Sequence, residues 1–155
     1  MPNVFYRVYR CNLKREGNRY SLFGLYPARR KPLKKQGKPF QYDAYDDYVS
    51  EEIERHAKMP RKINGAVLFV IENLEGTTIP GETKLFFPDS VFMGISLCSE
   101  SEKKFDVKEG LKRARRKVIE EIKDWMDRNA ISPSKFDEII TAMGVYNAGN
   151  PTRKS

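Results

Sequence analysis

The stretch from Gly65 to Glu75, GAVLFVIENLE, constrains the fold of this chain more than any other. It is the most apolar run in the sequence, with β-branched and aromatic residues at its centre. It falls well short of the roughly 20 apolar residues that span a bilayer. A run of this kind reads as a central buried strand, which needs neighbouring strands and apolar cover.

Neighbours are legible on both sides. Residues 3–13, NVFYRVYRCNL, alternate in part, with Val4, Tyr6 and Val8 opposing Phe5, Arg7 and Tyr9. Residues 19–27, RYSLFGLYP, form a second aromatic-rich run, and Gly17-Asn18 between the two supports a hairpin. Aromatic residues on both faces suggest that one face packs on the core while the other meets a partner. After the apolar run, turns at Pro80-Gly81 and Pro88-Asp89 bracket a short strand near 82–87, and a further strand follows at about 91–98. Three consecutive strands with this punctuation suggest an antiparallel meander.

The helices carry clear end signals. A short one is expected from about Asp46 to Lys58, with acids early, bases late and Pro60 as its stop. Asp106 with Glu109 three residues on makes a capping box for a long helix over about 107–129. Ser132-Pro133 opens another, which Gly144 ends. The expected architecture is one α+β domain over 1–146, its mainly antiparallel sheet coming first and two helices packing on it last. A basic and aromatic loop region at 28–45 and a flexible tail at 147–155 complete the reading.

Charge bounds the function. The chain has 155 residues and a formal net charge of +8, unevenly spread. Residues 1–38 hold eleven Lys/Arg against Glu16 alone, 39–106 hold seven against thirteen acids, and 107–155 hold eleven against seven. Such a polarised field attracts phosphate-rich or acidic partners and says nothing of fold. No apolar signal segment opens the sequence, and a cytoplasmic protein without a membrane partner is expected. Cys11 and Cys98 are too few for a disulfide framework or a structural zinc site and read as reduced, buried thiols. His56, the only histidine, lies in a polar helical stretch and reads as a surface residue.

The long helix holds the sharpest local signal. Five of the six residues from Lys112 to Lys117 are basic. At about 100° per residue, Val107, Leu111, Ala114, Val118, Ile122 and Trp125 share one stripe, widened by Ile119 and Met126. Lys112, Arg113 and Arg116 point away from it. Pairs Glu109–Arg113, Arg116–Glu120 and Lys117–Glu121 at i,i+4 spacing would make that side a solvated, self-neutralising face. Arg115 breaks the pattern, because it falls inside the apolar arc. Its guanidinium must snorkel, pair with a buried carboxylate, or point into a cavity that holds an anion. Lys108 lies seven residues earlier on the same edge. The helix start, with Lys103, Lys104, Lys108 and Gly110, offers free N–H donors, although Asp106 competes for them.

The segment from Cys98 to Lys117 resembles small phage proteins that sequester cyclic ADP-ribose-type signals of the Thoeris immune system. The resemblance rests on Cys98-Ser99, Glu102, Phe105, Gly110, Ala114 and the bases from Arg113 to Lys117, and covers twenty of the 155 residues. Leu111 stands where that pattern has a basic residue. The resemblance implies a non-enzymatic, anti-defence signal sponge in the infected host cell, with sheet first, helices last and arginines that meet phosphate.

Three classes of function follow. A protein that captures a phosphate-bearing nucleotide ligand would use Lys104, Lys108, Arg113 and Arg115 for phosphate and Tyr6, Tyr26 or Phe92 for base stacking, and, because such sites often form between protomers, a homo-oligomer is expected. A nucleic-acid-binding protein would use the basic loop with Arg29, Arg30, Lys31, Lys34, Lys35 and Lys38, interleaved with Tyr20, Tyr26, Tyr42 and Tyr45. The same loop suits an inhibitor that docks on an acidic host protein. An enzyme would have to use the acids of DAYDDYVSEE around a divalent metal, but helix starts favour acids on electrostatic grounds alone. With no phosphate-binding loop, nucleophile elbow or metal-binding His/Cys set, neither catalysis nor a cofactor nor a metal is expected.

Overall fold

The structure is a computed structural model that describes residues 2–16, 19–24, 43–56, 63–72, 74, 79, 91–99 and 106–146. Strand β1 (Asn3–Glu16) and strand β2 (Arg19–Gly24) form the expected hairpin, closed by the Glu16–Arg19 pair, with a register shift between Asn12 and Arg15. Helix α1 (Ala44–His56) follows, then strand β3 (Ile63–Glu72) and strand β4 (Phe92–Ser99). Helix α2 (Val107–Arg128), a 3-10 turn (Pro133–Lys135) and helix α3 (Phe136–Met143) close the described chain. The fold is α+β.

All four strands pair antiparallel in the order β2-β1-β3-β4. The expected central strand is β3, hydrogen-bonded on both sides. β4 pairs directly with β3, and the short strand expected near 82–87 lies outside the described residues. So does the basic loop at 28–38, with Arg29, Arg30, Lys31, Lys34, Lys35 and Lys38, and so do Tyr26, Lys104 and the residues after 146.

The strand period of two divides the core into two layers. Val67, Phe69 and Ile71 of β3 face α2 and α3, joined there by Val118, Ile122, Trp125, Ile139 and Met143. Ala66, Leu68 and Val70 face α1, with Phe5, Tyr9, Ile95, Val49 and Ile53. Cover lies on both faces, so the face of β1 expected to meet a partner is packed instead. Phe5 and Tyr9 sit buried beneath α1, and Tyr6 and Val4 lie half-buried against the α2 layer. Burial on both faces also explains why β3 reads as a continuous apolar run and not as an alternating one.

The α1 layer is fixed by a buried polar cluster that the sequence reading did not single out. Asp43 caps α1 and accepts from the Asp46 N–H at 2.9 Å, while Asp46 accepts in return from the Asp43 N–H at 3.2 Å. This reciprocal box starts the helix at Ala44, two residues before the expected Asp46. Arg7, 1% exposed on β1, donates to Asp43 at 2.8 Å and to Asp46 at 3.2 Å, and Tyr9 donates to Asp46. The Arg7 guanidinium also lies against the Phe5 and Tyr45 rings, at 5.4 and 5.3 Å from their centroids. Burial acts to lower the Arg7 pKa, but Tyr9 and Asp43 more than compensate and hold it firmly charged. For Asp43, burial acts upward, yet the Asp46 N–H and Arg7 together bring its carboxyl below the ordinary value.

The α2 layer is closed by two similar chain reversals. After α2, Ile131 N–H bonds to Met126 O and Ala130 N–H to Asp127 O, with Ala130 in the left-handed region at φ 54°. After α3, Val145 N–H bonds to Ile140 O and Gly144 N–H to Thr141 O, with Gly144 at φ 75°. Both are Schellman motifs, and the residue after the left-handed one, Ile131 or Val145, is buried as the motif's apolar anchor. The expected helix opening at Ser132-Pro133 is present, but its first turn is 3-10 and the α-helix begins at Phe136.

Candidate functional site

The helical stripe is buried as the periodicity requires, through Ala114, Val118, Ile122, Trp125 and Met126. Arg115 sits within that arc, between Ile122 and Met126 in angle, and the packing leaves its side chain half-buried. Its guanidinium is sandwiched between two rings, 5.5 Å from the centroid of Phe69 and 5.4 Å from that of Tyr146. Phe69 is fully buried, whereas Tyr146 is 65% exposed. The Nε of Arg115 is buried without a hydrogen-bond partner, and among the described residues no carboxylate forms an ion pair with it. Of the three alternatives the sequence left for Arg115, pairing with a buried carboxylate is therefore not seen among the described residues.

Tyr6 belongs to the same cluster. It stands opposite Phe69 in the β1–β3 ladder, on the α2 face. Burial raises the pKa of its phenol, and the Arg115 charge draws it back down, so its hydroxyl and the guanidinium share one electrostatic environment. Tyr6, Phe69, Arg115 and Tyr146 thus gather a cation, a phenolic donor and an exposed aromatic face from β1, β3, α2 and the turn after α3. The Schellman turn holds Tyr146 in place by burying Val145 and so turning the next side chain outward. A guanidinium with no ion pair among the described residues suits an anion with two or more acceptor oxygens.

The remaining candidates are dispersed. Lys108 is exposed on the first turn of α2, about 10 Å along the axis from Arg115. Arg113 lies on the far side of the helix, and its Nε is 3.3 Å from Glu109, the i,i+4 pair expected for the solvated face. Lys117 departs from that expectation: it donates to the Ile95 carbonyl at 2.6 Å in place of pairing with Glu121. Phe92, expected as a base-stacking ring, is a core residue instead. It is 5% exposed and meets Trp125 edge-on at 6.0 Å, which leaves no free face for a base. His56 is a surface residue 3.5 Å from Glu52.

Among the described residues, the start of α2 offers an anion little. The Asp106 carboxylate accepts from the N–H groups of Lys108 and Glu109, at 3.0 and 3.3 Å, and so occupies the donors an anion would need. The space between this turn and β4, lined by Ser96, Cys98, Gly110 and Arg113, is about 30 Å³, enough for a few waters at most. A groove of about 510 Å³ lies at the other end of α2, over Met126, Ile131 and Phe136, where Lys123 Nζ sits 4.8 Å above the Phe136 ring. None of the sequence candidates lines it. The acids at the start of α1 are engaged as well, since Asp43 and Asp46 hold Arg7, and no group of metal-ligating side chains occurs among the described residues.

The residue that sequence reasoning missed here is Tyr146. It follows the glycine that ends α3 and precedes the expected tail, a place where an aromatic carries no periodic signal. No described helix is long and apolar enough to cross a membrane. Searches for similar proteins found no matching family model, curated protein or solved structure.

Proposed function

We propose that this chain is a non-enzymatic binding protein that captures a phosphate-bearing small ligand at Arg115. The observation that carries the reading is the Arg115 guanidinium, held between Phe69 and Tyr146, with a buried Nε that meets no acceptor. An unmet donor on a buried charged group costs about 1–3 kcal/mol, which an oxyanion would return on binding. Tyr6 would add its hydroxyl to the same oxygens. Lys108 contributes at most to the field around the site, and Arg113 is spent on Glu109. Capture without turnover, inside an infected host cell, is the role that the resemblance to Thoeris anti-defence proteins implies.

Thermal stabilisation of the purified protein against inorganic phosphate, linear and cyclic nucleotides and short oligonucleotides tests this directly. A ligand at 100 times its dissociation constant adds about 2.7 kcal/mol of stability. The expected result is a shift with one small phosphate ligand that persists at moderate salt and disappears in Arg115→Ala.

A second reading rests on charge. The eleven Lys/Arg of residues 1–38 favour a polynucleotide. Binding would then weaken with salt at a slope of about −0.7 to −0.9 per phosphate neutralised. Arg115→Ala would leave it unchanged, and only oligonucleotides would shift the protein. Silence across the whole panel would point to an acidic protein partner, to be sought by pull-down.

A further inference from the structure

Among the described strands β4 lies at one edge of the sheet, and it carries none of the protection that edge strands usually build into themselves. Its sequence, FMGISLCS, has no charge and no proline, and Val91 just before it is 38% exposed. Left unguarded, an uncharged edge of this length is a template for any strand that can pair with its outward N–H and C=O groups.

In an antiparallel ladder, alternate residues send both backbone groups to the same side. Met93 and Ile95 are two such residues, and their outward groups are taken by α2. Lys117 Nζ donates to the Ile95 carbonyl at 2.6 Å. Glu121, four residues on, accepts from the Met93 N–H, a bond that partly offsets the upward push of burial on its carboxyl. The spacings agree: four residues of helix advance about 6 Å, and two residues of strand about 6.6 Å. Gly94 lets the helix come close enough for this reach. A Cβ there would lie 2.4 Å from the Ala114 carbonyl oxygen, so the α2 backbone rests on the β4 backbone.

We propose that Lys117 and Glu121 form a guard that blocks β4 from adding the β4 strand of a second copy of this chain. The partner is set by the edge itself. Two identical uncharged edges related by a two-fold axis present the same pattern to each other, and antiparallel pairing is the mode of this sheet throughout. The two charged side chains would oppose such a partner in two ways, by using the outward hydrogen-bond groups and by placing solvated charge across its path.

The test is the solution mass of the wild type and of Lys117→Ala/Glu121→Ala, followed by light scattering over a range of concentrations. The double variant is expected to gain mass with concentration to at least twice the wild-type value, whatever state the wild type adopts through other surfaces. Adding Met93→Pro removes an N–H that the new strand needs while sparing the ladder to β3, and should return the mass to that of the wild type. A folded double variant with wild-type mass at every concentration would overturn the proposal, as would association that survives Met93→Pro. Near-ultraviolet circular dichroism of Trp125 reports whether the variants are folded. Should the alanine pair fail to fold, Lys117→Met/Glu121→Met keeps the aliphatic cover without the bonds and decides by the same readout.

Discussion

Two arginines illustrate how one side chain can take opposite parts in the same sheet. Arg7 is buried among Asp43, Asp46 and Tyr9, and both carboxylates pair with its guanidinium, although its Nε, like that of Arg115, meets no acceptor. Arg115 is met, among the described residues, by ring faces. Arg7→Met therefore leaves Asp46 buried without its cation and should cost about 3–5 kcal/mol in urea unfolding, the usual result of removing one partner from a buried pair. Asp43 makes the same cluster sensitive to acid. Its folded pKa lies below the unfolded value, so its contribution to stability is present at neutral pH and is lost as pH falls through the folded pKa. Unfolding free energies of wild type and Asp43→Asn, measured from neutral to strongly acid solution, should converge as pH falls. Arg115 was legible in the sequence because a cation inside a helical apolar arc stands out. Arg7 sits between Phe5 and Tyr9 on one face of a strand, and the same argument at period two identifies it. What no local pattern could provide is the partner, since Asp43 and Asp46 lie 36 and 39 residues away.

At the level of elements, the ends of α2 and α3 make a matched pair. Both close with a Schellman motif, one with Gly144 in the left-handed position and the other with Ala130. An L side chain there costs about 1–2 kcal/mol, partly offset by the greater unfolded entropy of glycine. Ala130→Gly should accordingly stabilise the protein by about 0.5–1 kcal/mol, and Gly144→Ala should destabilise it by a similar amount. Thermal melts of the two variants read both signs. Helix periodicity and caps made α2 legible from Val107 almost to its last residue, because every signal for a helix is local. The start of α1 was less so, since Asp43 and Asp46 are both good caps and only their reciprocal bonds decide between them. The pairing of β3 with β4 was hidden for a different reason. Turn residues mark where a strand stops, but they do not say which strand it will lie beside.

For the molecule as a whole, two apolar layers share a single strand. Val67 through Ile71 are all fully buried, alternate residues serving the α1 layer and the α2 layer, with β1 on one side and β4 on the other. Neither layer can come apart at β3 without exposing the other, which ties them into one cooperative unit although no side chain bridges the sheet. Deuterium uptake makes this visible. The amides of Val67–Ile71 should be the last to exchange, with protection equal to the global unfolding free energy, and those of α3 should exchange earlier through local opening. Substitutions confined to either layer should then lower the protection of this strand by the full amount of their effect on stability. Trp125, the single tryptophan, belongs to the α2 layer, yet its emission should follow the loss of both layers in one transition. The shared strand thus turns a fluorophore on one side of the sheet into a reporter for the side it cannot touch.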